Sequence, residues 1–421
     1  MRINVEQLKQ IQGWLSYLED LYIELVREGD GGFLSTEEYE GLPDEMEIDE
    51  LCLSFPDDQE YFDISLEDFC CYMSEIETLR KDGDFIVRTD HIIQAVISSK
   101  RMGFTSFEDK MQAIIVKGEG VEASVIKSPF LVGVMNAKDG RYEKDFGIGS
   151  CEYYTAIEIK LKEDWNDAKI NALIEQVCFY LTVKMGVAIY PWEGPDMNEI
   201  YDSMNDYFDD DEENVSENDQ IEIELSALPA YSPLLKMFRQ AKGVEDAEIQ
   251  FLQYYKIIEY VSPLVAKSVA YERLNKRLDL LPSVARDSNF LDSILLVARK
   301  YDIDMRDDSL AEAVIENCVD VIPLFELFPI RLRKKMKSNL KLQKDALTDN
   351  DVTEEQVRSL QKQIAAILYA TRNSIVHAKS NYQVNGNELF SKELGEANQI
   401  MEIIAYSIIN WNQRQPEGFR S

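Results

Sequence analysis

The sequence predicts an α+β chain of two domains, the first mixed and the second all helical, and three observations carry that prediction. Charge is split along the chain: of 78 acidic and 44 basic residues, 25 and 23 lie from Asp246 onward, leaving 53 and 21 before it. The net charge of −34 therefore belongs almost wholly to residues 1–245. Short runs rich in β-branched and aromatic residues occur before that step, and apolar residues at helical spacing dominate after it. With 421 residues and 45% hydrophobic content, both halves, 1–245 and 246–421, are long enough to bury a core.

In the first half, Leu8, Ile11, Leu15, Leu18, Tyr22, Leu25 and Val26 recur at helical spacing and predict a helix over 5–27. A second helix is expected over 66–80. Strands are expected at 113–116, 123–126, 130–134 and 154–161, separated by turns at 117–120 and 139–141 that contain Gly and Asp. A helix over 167–185 and strands at 187–190 and 221–225 complete this domain. His91 is expected beside a helix start, with Asp90 as its cap. In the second half, helices are expected over 247–270, 287–301, 309–319, 323–337, 353–379 and 392–411. The one from Thr353 opens on Thr-Glu-Glu-Gln, a capping-box arrangement.

Several function classes find no support. No apolar run approaches the roughly 20 residues of a membrane span, and Met1–Gln7 lacks a signal-peptide layout, so the cytoplasm is the expected compartment. The six cysteines include no CxxC pair and there are only two histidines, so reduced thiols are expected and no metal or cofactor is. Phosphate-loop and nucleophile-elbow motifs are missing.

Residues 193–220, with Asp209-Asp210-Asp211-Glu212-Glu213 at their centre, have the composition of an acidic insertion. Two readings stand: a loop that keeps the chain soluble, or a decoy for a basic surface elsewhere in the molecule. That basic surface has one clear candidate. Arg331 to Lys344 holds seven cations and no acid, and Arg331, Arg333, Lys334, Lys335, Lys337 and Lys341 could track an RNA backbone. The same tract also reads as a solvated helix face.

Reactive groups converge in Arg372-Asn373-Ser374-Ile375-Val376-His377. Cutting RNA without a metal requires moving a proton off the ribose 2′-OH, giving one to the departing 5′-oxygen, and stabilising charge on phosphorus. Imidazole exchanges protons at cellular pH, and guanidinium grips phosphate oxygens through two parallel bonds. Asn373 and His377, four apart, share a helical face. Arg372 is about 140° from His377 on an ideal helix, so a composite site between two copies is one way to unite them.

The Arg-Asn-x-x-x-His segment resembles the signature of HEPN-domain ribonucleases. The likeness extends over residues 246–415 and includes Phe251 to Tyr260, similar to an aromatic first long helix ending in Tyr-x-x-x-Glu-Tyr. It implies a helical bundle, a homodimer, and metal-independent endoribonuclease activity in bacterial toxin, abortive-infection or antiphage systems. His377 would be the general acid/base, Arg372 the phosphate and transition-state stabiliser, and Asn373 the orienting group. Glu259 is expected in the domain interior, pairing with an arginine near the active helix in a supporting role. RNA, including tRNA, is the implied substrate, and a phage or host protein the implied trigger at the first domain. The layout is similar to ApeA-type antiphage proteins, although residues 1–245 offer no motif for that family. The rival reading is an inactive dimerisation or adaptor module whose acidic domain binds a basic protein.

Overall fold

The computed structural model describes residues 2–26, 45–47, 50–99 apart from 59 and 84, 114–118, 121–140, 150–162 apart from 152 and 153, 165–192, 221–224, 233–279, 288–342 apart from 305 and 306, 344–377 apart from 345 and 346, and 386–416. The acidic insertion expected at 193–220 lies outside these residues. Helices and mainly antiparallel sheets are both present, so the fold is α+β. The chain divides into two compact units, Met1–Tyr231 and Ser232–Ser421.

The first unit begins with β1 (Arg2–Asn4), α1 (Val5–Glu19), β2 (Glu24–Leu25), β3 (Glu45–Glu47), β4 (Glu50–Ser54), β5 (Phe62–Ser65) and α2 (Leu66–Ser74). It continues with β6 (Arg80–Lys81), β7 (Ile86–Arg88), β8 (Ile92–Ser98), β9 (Ile114–Gly118), β10 (Val121–Lys127), α3 (Phe130–Asp139) and β11 (Thr155–Leu161). The last elements are α4 (Asp167–Met185), β12 (Tyr190–Pro191) and β13 (Ile221–Glu224). Its main sheet runs β13-β9-β10-β11-β8-β7-β6, with β12 also on β8, and β2-β4-β5 forms a second sheet.

The helices expected over 5–27 and 66–80 stop at Glu19 and Ser74, each followed by a short strand, β2 and β6, and two further expectations change in kind. Residues 130–134 are the first turns of α3, not a strand. Every residue from Phe130 to Ala137 is buried, and that burial outweighs the β-preference of Val132 and Val134. The helix start is satisfied from a distance: the Gln94 side-chain oxygen on β8 accepts from Leu131 N (2.8 Å) and Val132 N (3.3 Å). Its end is Gly140 at φ 63°, a left-handed residue that glycine adopts without cost. His91 opens a strand rather than a helix. It sits in the β7–β8 connection, where its Nδ1 lies 2.9 Å from Glu75 Oε1, while Asp90 accepts from Arg80 (3.0 Å).

The first unit's core is aromatic. The Phe130 ring lies 5.4 to 6.1 Å from those of Phe55, Phe62, Phe69 and Tyr72. A buried carboxylate sits beside it, Glu158 on β11, which accepts from Tyr72 Oη (2.5 Å) and Gln94 Nε2 (2.8 Å). Lys160 Nζ lies 3.3 Å from its other oxygen. Burial, and then the Glu158 charge, push the Tyr72 hydroxyl well above its ordinary pKa, so it remains a donor.

The second unit holds α5 (Pro233–Lys242), α6 (Ala247–Leu278), α7 (Ser288–Asp304), α8 (Asp307–Cys318), α9 (Ile330–Leu340), α10 (Glu354–Val376) and α11 (Leu394–Gln413), with no strand among its described residues. Helix α5, which the charge step left in the first half, falls in this second compact unit, which begins at Ser232. It packs on α6 and α11, and Lys242 Nζ lies 2.8 Å from both Glu402 oxygens. The helix expected from Pro323 starts only at Ile330, after a 3-10 turn at Phe325–Leu327 and Pro329. Helix α6 extends past the expected Ala270 to Leu278, a length of 32 residues.

Candidate functional site

Helix α10 delivers the Arg-Asn-x-x-x-His segment. Its start is fixed locally: Thr353 Oγ1 accepts from Gln356 N (3.3 Å), and Gln356 Oε1 accepts from Thr353 N (2.9 Å). Just before it, Asp351 accepts from Thr348 and pairs with Lys344 Nζ at 2.6 Å. Those bonds, Lys344 first, hold the Asp351 carboxyl down at about 2. An unfolded aspartate titrates near about 3.9, so the stability this group lends is complete above that pH and is lost as pH falls through ~2. A carboxyl titration followed by NMR is expected to find Asp351 protonating near pH 2, and a midpoint at the ordinary aspartate value would refute the interaction.

Leu360, Ile364, Ile367, Leu368 and Thr371 form the buried face of α10. Thr371 Oγ1 donates to Ile367 O (2.7 Å) and accepts from Leu389 N (2.9 Å), tying the returning chain to the end of the helix. Arg372 comes next and is half-buried. Its Nη2 lies 3.1 Å from Glu259 Oε1 on α6, and its Nη1 donates to Asn373 Oδ1 at 3.1 Å. Glu259 therefore does pair with the arginine, but at the surface, its side chain 47% exposed, rather than in the interior.

The backbone under Glu259 is adapted to a proline. Pro263 stands inside α6 and has no N–H for the Glu259 carbonyl four residues back. Ser262 Oγ donates to that carbonyl instead, at 2.9 Å. The Thr371 tie and the Ser262–Pro263 pair carry no signal of function in the sequence, since both use residue types common in helices.

His377 is the C-cap of α10, beyond the last helical residue, and is exposed. Its backbone N–H donates to Asn373 O at 2.9 Å. The helix thus ends at Val376 rather than Lys379, and the angle drawn for a continuous helix does not hold at His377. Asn373 gives its side-chain oxygen to Arg372, so the amide orients the guanidinium. Val376, the last helical residue, is 48% exposed.

Most of the basic tract lies on α9, with Leu332, Met336 and Leu340 turned inward and Lys341 as its C-cap. Its first cation is built into the fold. Arg331 donates to Gly386 O and Glu388 O (both 2.8 Å) and to Glu393 Oε2 (3.0 Å), and its guanidinium stacks 4.0 Å over Phe390. It is thus a clamp on the chain returning from the α10 end, a structural use of a cation that the sequence offered to RNA. Lys335 is exposed and bonds Asn387, Lys334 and Lys341 are exposed, and Arg333 and Lys337 are half-buried.

Among the described residues, no group of three or more His, Cys, Asp or Glu is arranged to hold a metal, and no helix is long and apolar enough to cross a membrane. No family model, no curated protein and no solved structure matches this chain.

Proposed function

We propose that the chain is a metal-independent endoribonuclease of the HEPN type, acting on RNA in the bacterial cytoplasm in a defence or toxin system. The observation that carries this reading is the Arg372 guanidinium, held from two sides by Glu259 and Asn373 on the helix end that also presents His377. An ion pair that fixes the guanidinium plane while leaving it partly exposed preorganises it for phosphate. In this reading His377 takes the 2′-OH proton and later returns one to the 5′-oxygen. The 2′-oxygen then bonds to phosphorus as the P–O5′ bond breaks, leaving a 2′,3′-cyclic phosphate. A second copy supplies the partner site, and the first unit receives the trigger.

The test is incubation of the purified chain with tRNA and with single-stranded RNA in EDTA, followed by analysis of product ends. Cyclic-phosphate ends are expected. No cleavage of any RNA, with or without candidate protein triggers, would move the assignment to an adaptor module.

RNA contact on α9 has a separate test. Lys334→Ala and Lys341→Ala should each reduce the salt dependence of RNA binding by about 0.7 in log–log slope, the contribution of one phosphate contact on a single strand. Arg331→Ala should leave that slope alone and instead destabilise the helical unit by about 1–3 kcal/mol, because two backbone carbonyls lose their donor. An unchanged slope in both lysine variants would remove α9 from the RNA path.

A further inference from the structure

Helix α6 carries a second surface feature beside the Arg372–Glu259 pair. Lys256, Tyr260, Lys267 and Tyr271 are all exposed, the two tyrosines by 41 and 42%. At 100° per residue the four fall within about 60° of arc, so cation and ring alternate along one side of the helix for about 22 Å. Lys267 Nζ stands 5.6 Å from the centre of the Tyr271 ring, and Lys256 Nζ lies 3.0 Å from Gln253 Oε1. Between Lys256 and Tyr271 the helix carries a single acid, Glu259, whose carboxylate is paired with Arg372. Single exposed tyrosines need no explanation, but rings and cations alternating on one stripe have a definite complement.

That complement is an unpaired nucleic-acid strand, whose bases stack on aromatic faces while its phosphates meet cations. We propose that the stripe is the track by which single-stranded RNA reaches the Arg372 site, with bases on Tyr260 and Tyr271 and phosphates on Lys256 and Lys267. From Asp246 onward the chain holds 25 acids and 23 bases, so this unit does not repel phosphate as residues 1–245 do. Tyr260 directly follows Glu259, so the track begins at the guanidinium that is to hold the phosphate under attack. Tyr271 lies about 16 Å further along, a span of about five nucleotides at about 3.4 Å each in a stacked strand.

The consequence is selectivity for RNA that is not base-paired. In a duplex the bases stack on one another and show the protein only edges and backbone, so the tyrosines have no base to hold. The proposal deepens the nuclease reading and rests on it for the strand being a substrate. Binding along the stripe is measured apart from cleavage.

The probe is a strand of about 12 nucleotides, within the site sizes of such tracks, with every ribose 2′-O-methylated so that no attacking hydroxyl is present. Its affinity for the full-length chain is measured alone and in a duplex, beside Tyr260→Leu, Tyr271→Leu, Tyr260→Phe and Tyr271→Phe. The single strand is expected to bind about tenfold or more tighter than the duplex, and each leucine variant to lose about 5- to 100-fold. The phenylalanine variants should bind as the native chain does, because the ring face and not the hydroxyl carries the contact. Leucine is a good helix former at an exposed position, so the melting temperature should not fall. Equal affinity for the duplex, or leucine variants that bind as tightly as the native chain, overturns the proposal. Failure to bind, with 256–271 instead protected from hydrogen exchange as chain concentration rises, gives the face to a second copy and overturns it as well. A strand carrying 4-thiouridine, cross-linked to the native chain by light, needs no substitution: adducts at Tyr260 and Tyr271 support the track, and adducts confined elsewhere reject it. Cleavage of unmodified RNA in EDTA reports the nuclease reading separately. Cleavage unaltered by both leucine variants refutes the track alone, and tyrosine-dependent binding without any cleavage refutes the nuclease alone.

Discussion

RNA cleavage in EDTA is expected to fall by about 10²–10⁴-fold in His377→Ala, the range for loss of a general acid/base. Arg372→Ala should cost about 10²–10³-fold, comparable to removal of one donor to a developing oxyanion. The more discriminating variant is Arg372→Lys. It keeps a cation opposite Glu259, so the α6–α10 ion pair survives, but it loses the planar fork that matches phosphate. If Arg372 serves chemistry, the lysine variant stays folded at native melting temperature and is nearly as inactive as alanine. If Arg372 only ties α10 to α6, lysine restores whatever alanine lost. The two readings thus differ in the relation between stability and rate, which kcat and a thermal melt measured on the same three proteins will give. Native rates in both Arg372 variants and in His377→Ala would end the assignment.

Phe130→Ala should be the most damaging core substitution in the first unit. The side chain is 1% exposed and touches four aromatic rings, so its loss leaves a cavity costing about 3–5 kcal/mol. The damage should spread in a definite direction. Phe130 opens α3, whose first amides are held by Gln94, and Gln94 also donates to Glu158. Loosening α3 therefore exposes a buried carboxylate network in the middle of β8 and β11. Because the chain holds two units, a single unfolding midpoint would be hard to interpret, and amide exchange segment by segment is the suitable readout. Faster exchange is expected over 92–98, 121–127 and 155–161, with α10 and α11 unchanged as an internal reference. Equal acceleration in both units, or none in either, would contradict this account of the core.

The legible parts of the fold were those whose signals are local. Helix α4 falls on the residues its periodicity marked, because Asn166 caps one end and Gly186, at φ 70°, closes the other. The start of α10 follows from Thr353 and Gln356 in the same way. The less legible parts depended on partners far along the chain. Residues 130–134 have the composition of a strand, and only Gln94, 37 positions from Leu131, together with burial on every side, makes them a helix. Strand β8 was missed because it is buried along nearly its whole length and so shows no alternation of polar and apolar residues. In the site, residue types singled out Arg372, Asn373 and His377, but types cannot say which cation of a basic run is spent on structure. Arg331 leads that run and is consumed by carbonyls 55 and 57 residues away.

By itself, then, the sequence determined the α+β class, the acidic first half, the helical second half and the place of the Arg-Asn-x-x-x-His segment late in the second half, because composition, spacing and adjacent caps act within a few residues. Only the tertiary structure decided that Glu259 faces Arg372 at the surface and that Arg331 clamps the returning chain. Those outcomes depend on which distant groups are brought within 3 or 4 Å, the range over which hydrogen bonds, ion pairs and packing act.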